Sequence, residues 1–218
     1  MSEYIKDLMC VVKYAQKNPD TLYDVVLRIH GTVQRNTNQL TNIFSQYNEN
    51  GFTKDDAFSW RMNYINHFGE KRQYYYDNMM KILRSKKKDI PDRILKLFLE
   101  ANGLGLPKAN FLAILATGMK AFACLDSNNL IWYDINPKIT DYNKKLKSEE
   151  VKANKRKQYL DVVRKLGGGE KLWDEWCIRV ADKSKKFKSG VEVSLKHRHW
   201  FTTWSDLKWS ERVSAIIS

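Results

Sequence analysis

Helix breakers are scarce in this chain. Four prolines and ten glycines are spread over 218 residues, and between them apolar side chains return with the period of an α-helix. Over 3–16, Tyr4, Leu8, Val11, Val12 and Ala15 share one stripe. Over 21–33, Leu22, Val25, Val26 and Ile29 do the same. A segment opening at Lys54 or Asp55 and running through His67 turns Phe58, Met62 and Ile65 inward. Glu70 to Ser85 carries Tyr74, Met79, Ile82 and Leu83. Pro91 suits a first helical position, and Ile94, Leu95, Leu97 and Phe98 follow in a short helix. Lys108 to Met119 is apolar on every side, as a buried helix is. Asp126 or Asn128 is placed to cap a further helix. Residues 147–166 and 170–187 make two more. Gly167-Gly168-Gly169 between them reads as a helix C-terminus followed by a turn. Only Gly190–Leu195 alternates like a strand, too little for a sheet. The expected class is all-α.

Charge narrows the partners. Against 25 Asp and Glu stand 38 Lys and Arg, a net charge of +13. A surplus of that size favours a polyanion, nucleic acid or an acidic membrane. With 43% hydrophobic residues the chain can build a core. A mean hydropathy of −0.58 and the lack of any apolar run of about 18 residues exclude a transmembrane helix. The opening MSEYIKDLMC has no basic stretch followed by an apolar one, so no secretory signal is expected. Cys10, Cys124 and Cys177 are odd in number and far apart, which fits a reducing, intracellular compartment. Basic residues gather at 81–88, from Lys138 to Lys165, and at Lys183–Lys188. Tyrosine and tryptophan interleave with them, as on nucleic-acid surfaces. The middle run has too few apolar residues for a membrane-surface helix.

Residues 101–134, ANGLGLPKANFLAILATGMKAFACLDSNNLIWYD, carry the most information. Asn102-Gly103-Leu104-Gly105 forms a tight turn entering an apolar helix. Glycines there let the backbone approach a ligand closely. The first amides of the following helix carry partial positive charge and suit phosphate. Two helices paired around such a turn make a helix–hairpin–helix, which grips phosphates without reading sequence. A dinucleotide-binding glycine loop would need a preceding strand, and Lys108 stands where its third glycine belongs.

The segment resembles the helix–hairpin–helix DNA glycosylase superfamily, which includes endonuclease III and 8-oxoguanine glycosylase. The resemblance rests on Gly103-Leu104-Gly105, Lys108-Ala109-Asn110, the apolar run Phe111–Thr117, Gly118, and Cys124-Leu125-Asp126-Ser127-Asn128. It spans roughly 60–134. It implies a glycosylase-like bundle over 1–218, with 60–134 as its core and 138–218 as a basic, tryptophan-rich part. In that family an aspartate stabilises the positive charge that builds on deoxyribose when the N-glycosidic bond breaks. Asp126 matches it, and the same residue also suits a helix cap. Bifunctional members carry a Schiff-base lysine two residues after the second glycine. Here Pro107 fills that slot and Lys108 follows. One residue turns a helical side chain by about 100°, so Lys108 either enters the site or holds a phosphate. The four cysteines of the family's iron–sulfur cluster are missing.

The C-terminal third is aromatic. Trp173 and Trp176 read as core, and Trp200 and Trp204 as aromatics able to stack on a flipped base. His197, His199 and Cys177 lack the spacing of a zinc site, so no metal or other cofactor is expected. The expected function is a base-acting enzyme on double-stranded DNA, a monofunctional glycosylase. Asp126 and Lys108 are its catalytic candidates. Gly103, Leu104, Gly105 and Lys108, with Lys86, Lys87 and Lys88, are the DNA contacts. Asn128, Trp132, His197 and Trp200 are the base-pocket candidates. Two alternatives stay open. One is a viral-type transferase that adds an amine or amino acid to an activated 5-hydroxymethyluracil on the same scaffold. The other is a non-catalytic DNA-binding module. No obligate protein partner and no membrane association are expected.

Overall fold

A computed structural model of the chain describes residues 2–31, 67–101, 103–142 and 148–183. These are mostly helical, and no strand occurs among them. In order they form α1 (Glu3–Ala15), α2 (Pro19–Gly31), α3 (Arg72–Leu83), α4 (Ile90–Leu99), α5 (Leu106–Thr117), α6 (Ser127–Trp132), a 3-10 turn (Pro137–Thr140), α7 (Glu149–Lys165) and α8 (Gly169–Lys183). The helix expected over 54–67 and the alternation at Gly190–Leu195 lie outside the described residues, His67 aside.

α5 is the hub. Leu106 and every residue from Ala109 to Ala116 are buried, and α1, α2 and α4 pack around it. A helix can lack a polar face only when neighbours cover all of it, and α5 is covered in that way. α3 closes the layer against α2 and α4, α8 lies on α1, and α7 lies on α4. Phe68 stacks on Tyr75 of α3 at 4.2 Å between ring centres, which fixes α3 against the chain that precedes it.

Ser2 caps α1, its hydroxyl accepting from the Ile5 amide. Ser148 caps α7 by accepting from Val151. Expected boundaries shift by a few residues at most. α2 begins at Pro19 rather than 21, and Pro91 sits one position inside α4. The correction that bears on the site is at α5, which begins at Leu106 and not Lys108. Proline needs no donor in the first turn and has its φ preset for helix. Pro107 therefore belongs inside the helix, and Lys108 is its third residue.

Candidate functional site

The turn between α4 and α5 starts at Glu100, whose carboxylate accepts a hydrogen bond from the Tyr74 hydroxyl of α3 at 3.0 Å. Gly103 takes φ +89°, a conformation that strains side-chain-bearing residues. Gly105 then caps α5 in extended geometry without a side-chain oxygen. Lys108, Phe111 and Ile114 follow at i, i+3 and i+6 on one side of α5, and all three line a pocket.

The opposite wall is the extended stretch before α6. Phe122, Ala123 and Leu125 are buried. The Leu125 amide donates to the Tyr159 hydroxyl of α7 at 2.8 Å, and that hydroxyl lies 3.1 Å from the Ala123 carbonyl to which it donates. One tyrosine thus fixes the backbone on both sides of Cys124. Asp126 ends the stretch. Its Oδ1 accepts the Asn129 amide at 2.9 Å, so it caps α6. Asp126 also lines the pocket. The cap sets the side-chain rotamer, and the cap and the pocket position coexist.

The third wall is α8. α7 ends in a Schellman turn, with the Gly168 amide on the Val163 carbonyl at 2.9 Å and the Gly167 amide on Arg164 at 3.1 Å. Gly169, the first residue of α8, then donates to the Lys120 carbonyl at 2.7 Å. A Cβ at Gly169 would lie 1.9 Å from the Phe122 carbonyl oxygen. The glycine therefore lets α8 press directly on the backbone leading to Asp126. From there Leu172, Trp173 and Trp176 face the pocket. Phe111, Trp173 and Trp176 form an aromatic cluster with ring centres 5.7–6.3 Å apart.

The cavity itself measures ≈ 90 Å³, below the roughly 300–1,000 Å³ of small-molecule sites. Its chemistry is mixed. The Lys108 ammonium lies 5.5 Å from the centre of the Phe111 ring, a cation–π contact. Cys124 lines the floor. Burial pushes its thiol up to about 12. The Lys108 ammonium pulls the other way, the Asp126 carboxylate raises it, and the Asp126 backbone hydrogen bond lowers it. Cys124 is thus a neutral thiol at physiological pH, not a nucleophile. Cation, carboxylate and aromatic wall share one open space.

The structure brings some of the candidate residues together and leaves others apart. Asp126 and Lys108 come together although 18 residues separate them in the sequence. Lys108 lines the pocket. Gly103 is exposed and Leu104 buried. Lys86, Lys87 and Lys88 are exposed between α3 and α4 and do not line the pocket. Trp132, expected in the base pocket, is 58% exposed and does not line it. α6 buries Asn129 and Leu130, so the two residues that follow are turned outward. Asn129 lines the pocket and was missed in favour of its neighbour Asn128. The side chain of Asn128 is outside the described set, as are His197, Trp200 and Asn102. Trp173 is buried as core reasoning expects, but with Trp176 it also forms the pocket wall. No cluster of His, Cys, Asp or Glu suited to a metal occurs among the described residues. No described helix is long and apolar enough to cross a membrane.

Comparison of the chain with protein-family models, with curated proteins and with solved structures finds no match.

Proposed function

We propose that the protein acts on a base of double-stranded DNA, turned out of the duplex into this pocket, and hydrolyses its N-glycosidic bond. The observation that carries the reading is the convergence of Asp126, Lys108 and the Phe111–Trp173–Trp176 wall on one open pocket beside a glycine turn. The packing of α4 and α5 about that turn supports a helix–hairpin–helix, glycosylase-like arrangement. A flat apolar wall suits the π-face of an extruded base.

As the bond from C1′ to the base nitrogen lengthens, its electron pair leaves with the base and positive charge builds on the sugar. The Asp126 carboxylate stabilises that cation. Water adds at C1′, its proton ends on the departing base, and an abasic sugar remains. The Lys108 ammonium offsets the negative charge that the leaving base acquires. The amides at the start of α5 and the exposed Lys86, Lys87 and Lys88 grip phosphates. The net charge of +13 supports a polyanionic partner.

The test is incubation with duplexes carrying damaged or modified bases, followed by alkali. Strand breaks at abasic sites are expected, and Asp126→Asn abolishes them. Intact but heavier nucleosides in a digest would point instead to a base-modifying transferase. Binding without any product would leave a non-catalytic DNA-binding module. Absence of duplex binding at low salt sinks the reading altogether.

A further inference from the structure

We infer that Tyr159 is a positioning residue for Asp126: it holds the backbone that carries the carboxylate without touching what enters the pocket. This rests on the base-acting reading above and adds the group that sets the carboxylate in place. Tyr159 belongs to α7, is fully buried and does not line the pocket. Its ring is part of the core, and its hydroxyl reaches a stretch some 34 residues earlier in the chain.

The stretch from Met119 to Asp126 is neither helix nor strand, so its buried peptide groups need partners from elsewhere. The Cys124–Leu125 peptide is pinned at both poles. Its carbonyl accepts from the Asn129 side-chain amide at 2.6 Å, and its N–H donates to the Tyr159 hydroxyl at 2.8 Å. The same hydroxyl donates to the Ala123 carbonyl, one peptide earlier, at 3.1 Å. Two consecutive peptide planes therefore share one oxygen. The dihedrals of Cys124 lie between those planes and cannot turn without breaking a buried hydrogen bond. Asp126 follows one residue later, and its carboxylate closes the network by accepting the Asn129 backbone amide at 2.9 Å.

A phenol suits this task. A hydroxyl donates and accepts at once. Burial, above all, pushes the Tyr159 hydroxyl well above its ordinary titration range, so the proton given to Ala123 is kept. Phenylalanine would fill the same space and leave the Leu125 N–H and the Ala123 carbonyl unpaired in the core. The backbone could then turn at Cys124 and carry Asp126 with it. A displacement of about 1 Å in a group that meets the reacting centre lowers a rate on the order of a hundredfold. Contacts to phosphates outside the pocket would be untouched, so rate and affinity should part.

Tyr159→Phe in the full chain is the test. Base release at saturating protein is expected to slow by roughly tenfold or more, with duplex affinity unchanged. Labelling with iodoacetamide, mapped by mass spectrometry, reads the same stretch without any substrate. Cys124 is expected to label faster in the variant, while Cys177, buried on α8, keeps its rate. Val25→Ala, a core change on α2, controls for lost stability. It should lower the melt and alter neither the split between rate and affinity nor the ratio of the two labelling rates. In wild type the Leu125 amide should be among the slowest to exchange with deuterium, and fast exchange overturns the inference even if the variant fails to fold. Unchanged base release together with unchanged Cys124 labelling overturns it, as does a Val25→Ala protein that reproduces the Tyr159→Phe pattern. If wild type releases no base from any duplex, the functional reading falls, while labelling and exchange still decide whether Tyr159 holds the backbone of Asp126.

Discussion

Arg156 and Asp92 meet as fork and carboxylate, Nε to Oδ1 at 2.6 Å and Nη2 to Oδ2 at 3.1 Å. The guanidinium is 2% exposed and also reaches Glu149 at 3.0 Å. The pair ties α7 to the first turn of α4, the helix that leads into the glycine turn. Burial lowers the affinity of Arg156 for its proton, but its hydrogen bond to Asp92 raises it, and the group stays charged. Removing Arg156 deletes a buried side chain and its fork, while Asp92, 36% exposed, stays within reach of water. Arg156→Ala should therefore destabilise the fold by roughly 2–4 kcal/mol. Arg156→Lys should lie between, since an ammonium keeps the charge but loses the fork. Urea unfolding of the three proteins checks the order.

Asp126 has two tasks that substitution can separate. Asparagine caps a helix about as well as aspartate, whereas alanine loses roughly 1 kcal/mol. Asp126→Asn should melt with wild type and Asp126→Ala below it, while on the proposed reading both lose turnover. Thermal melts beside the abasic-site assay decide this. If Asp126→Asn keeps full turnover, the carboxylate is a cap alone.

Two glycines near the site should behave oppositely. A methyl at Gly169 collides with the Phe122 carbonyl, while at Gly105 its nearest neighbour is Pro107 Cδ at 3.9 Å. Gly169→Ala is expected to lose more than about 2 kcal/mol, and Gly105→Ala less than about 1. Equal effects would mean that α8 does not press on that backbone.

On the proposed DNA reading, the lysines at 86–88 bear on affinity rather than chemistry. Replacing all three by alanine should reduce the slope of log affinity against log salt by up to about 2.7, at about 0.9 per phosphate contact. Turnover of bound duplex should be unchanged. Fluorescence anisotropy over a salt series measures the slope, and an unaltered slope would remove these residues from the interface.

Alkaline pH should weaken the fold. The Cys124 thiol is pushed up to about 12, first by burial, and Tyr75 likewise to about 12, first by burial. In the unfolded chain both ionise earlier, so the native state holds more protons in that window. Stability is then fully present below the ordinary thiol range and falls as pH rises toward 12. Melting temperatures across pH 8–11 test this. Cys124→Ala should flatten the earlier part of the decline.

Much of this was readable in the residues. The apolar run from Lys108 to Met119 reads as an interior helix, and α5 is one; Lys108 and Asp126 stand out in the sequence, and both line the pocket. What escaped was the third wall. Trp173 and Trp176 look like core because a pocket wall and a core face have the same period. The missing signal lay in Gly169, which permits a close approach, although a run of three glycines reads first as a turn. Asn129 was displaced by Asn128 because one helical step of about 100° decides which side chain faces inward. Trp132 was drawn into the pocket by nearness in sequence, and the short α6 turns it out.

Three separate stretches meet at the pocket, and only one of them carries the glycine turn. α8 enters last along the chain, and its first residue rests on the backbone that holds Asp126. A movement of α8 would thus alter the width of the aromatic slot and the setting of the carboxylate together. Substitutions far along the chain, at the Leu166–Gly169 corner or on the inner face of α8, would then change which bases fit and how fast they react in the same stroke. On the proposed reading, selectivity and rate are mechanically linked at that corner, and variants there should rarely change one alone.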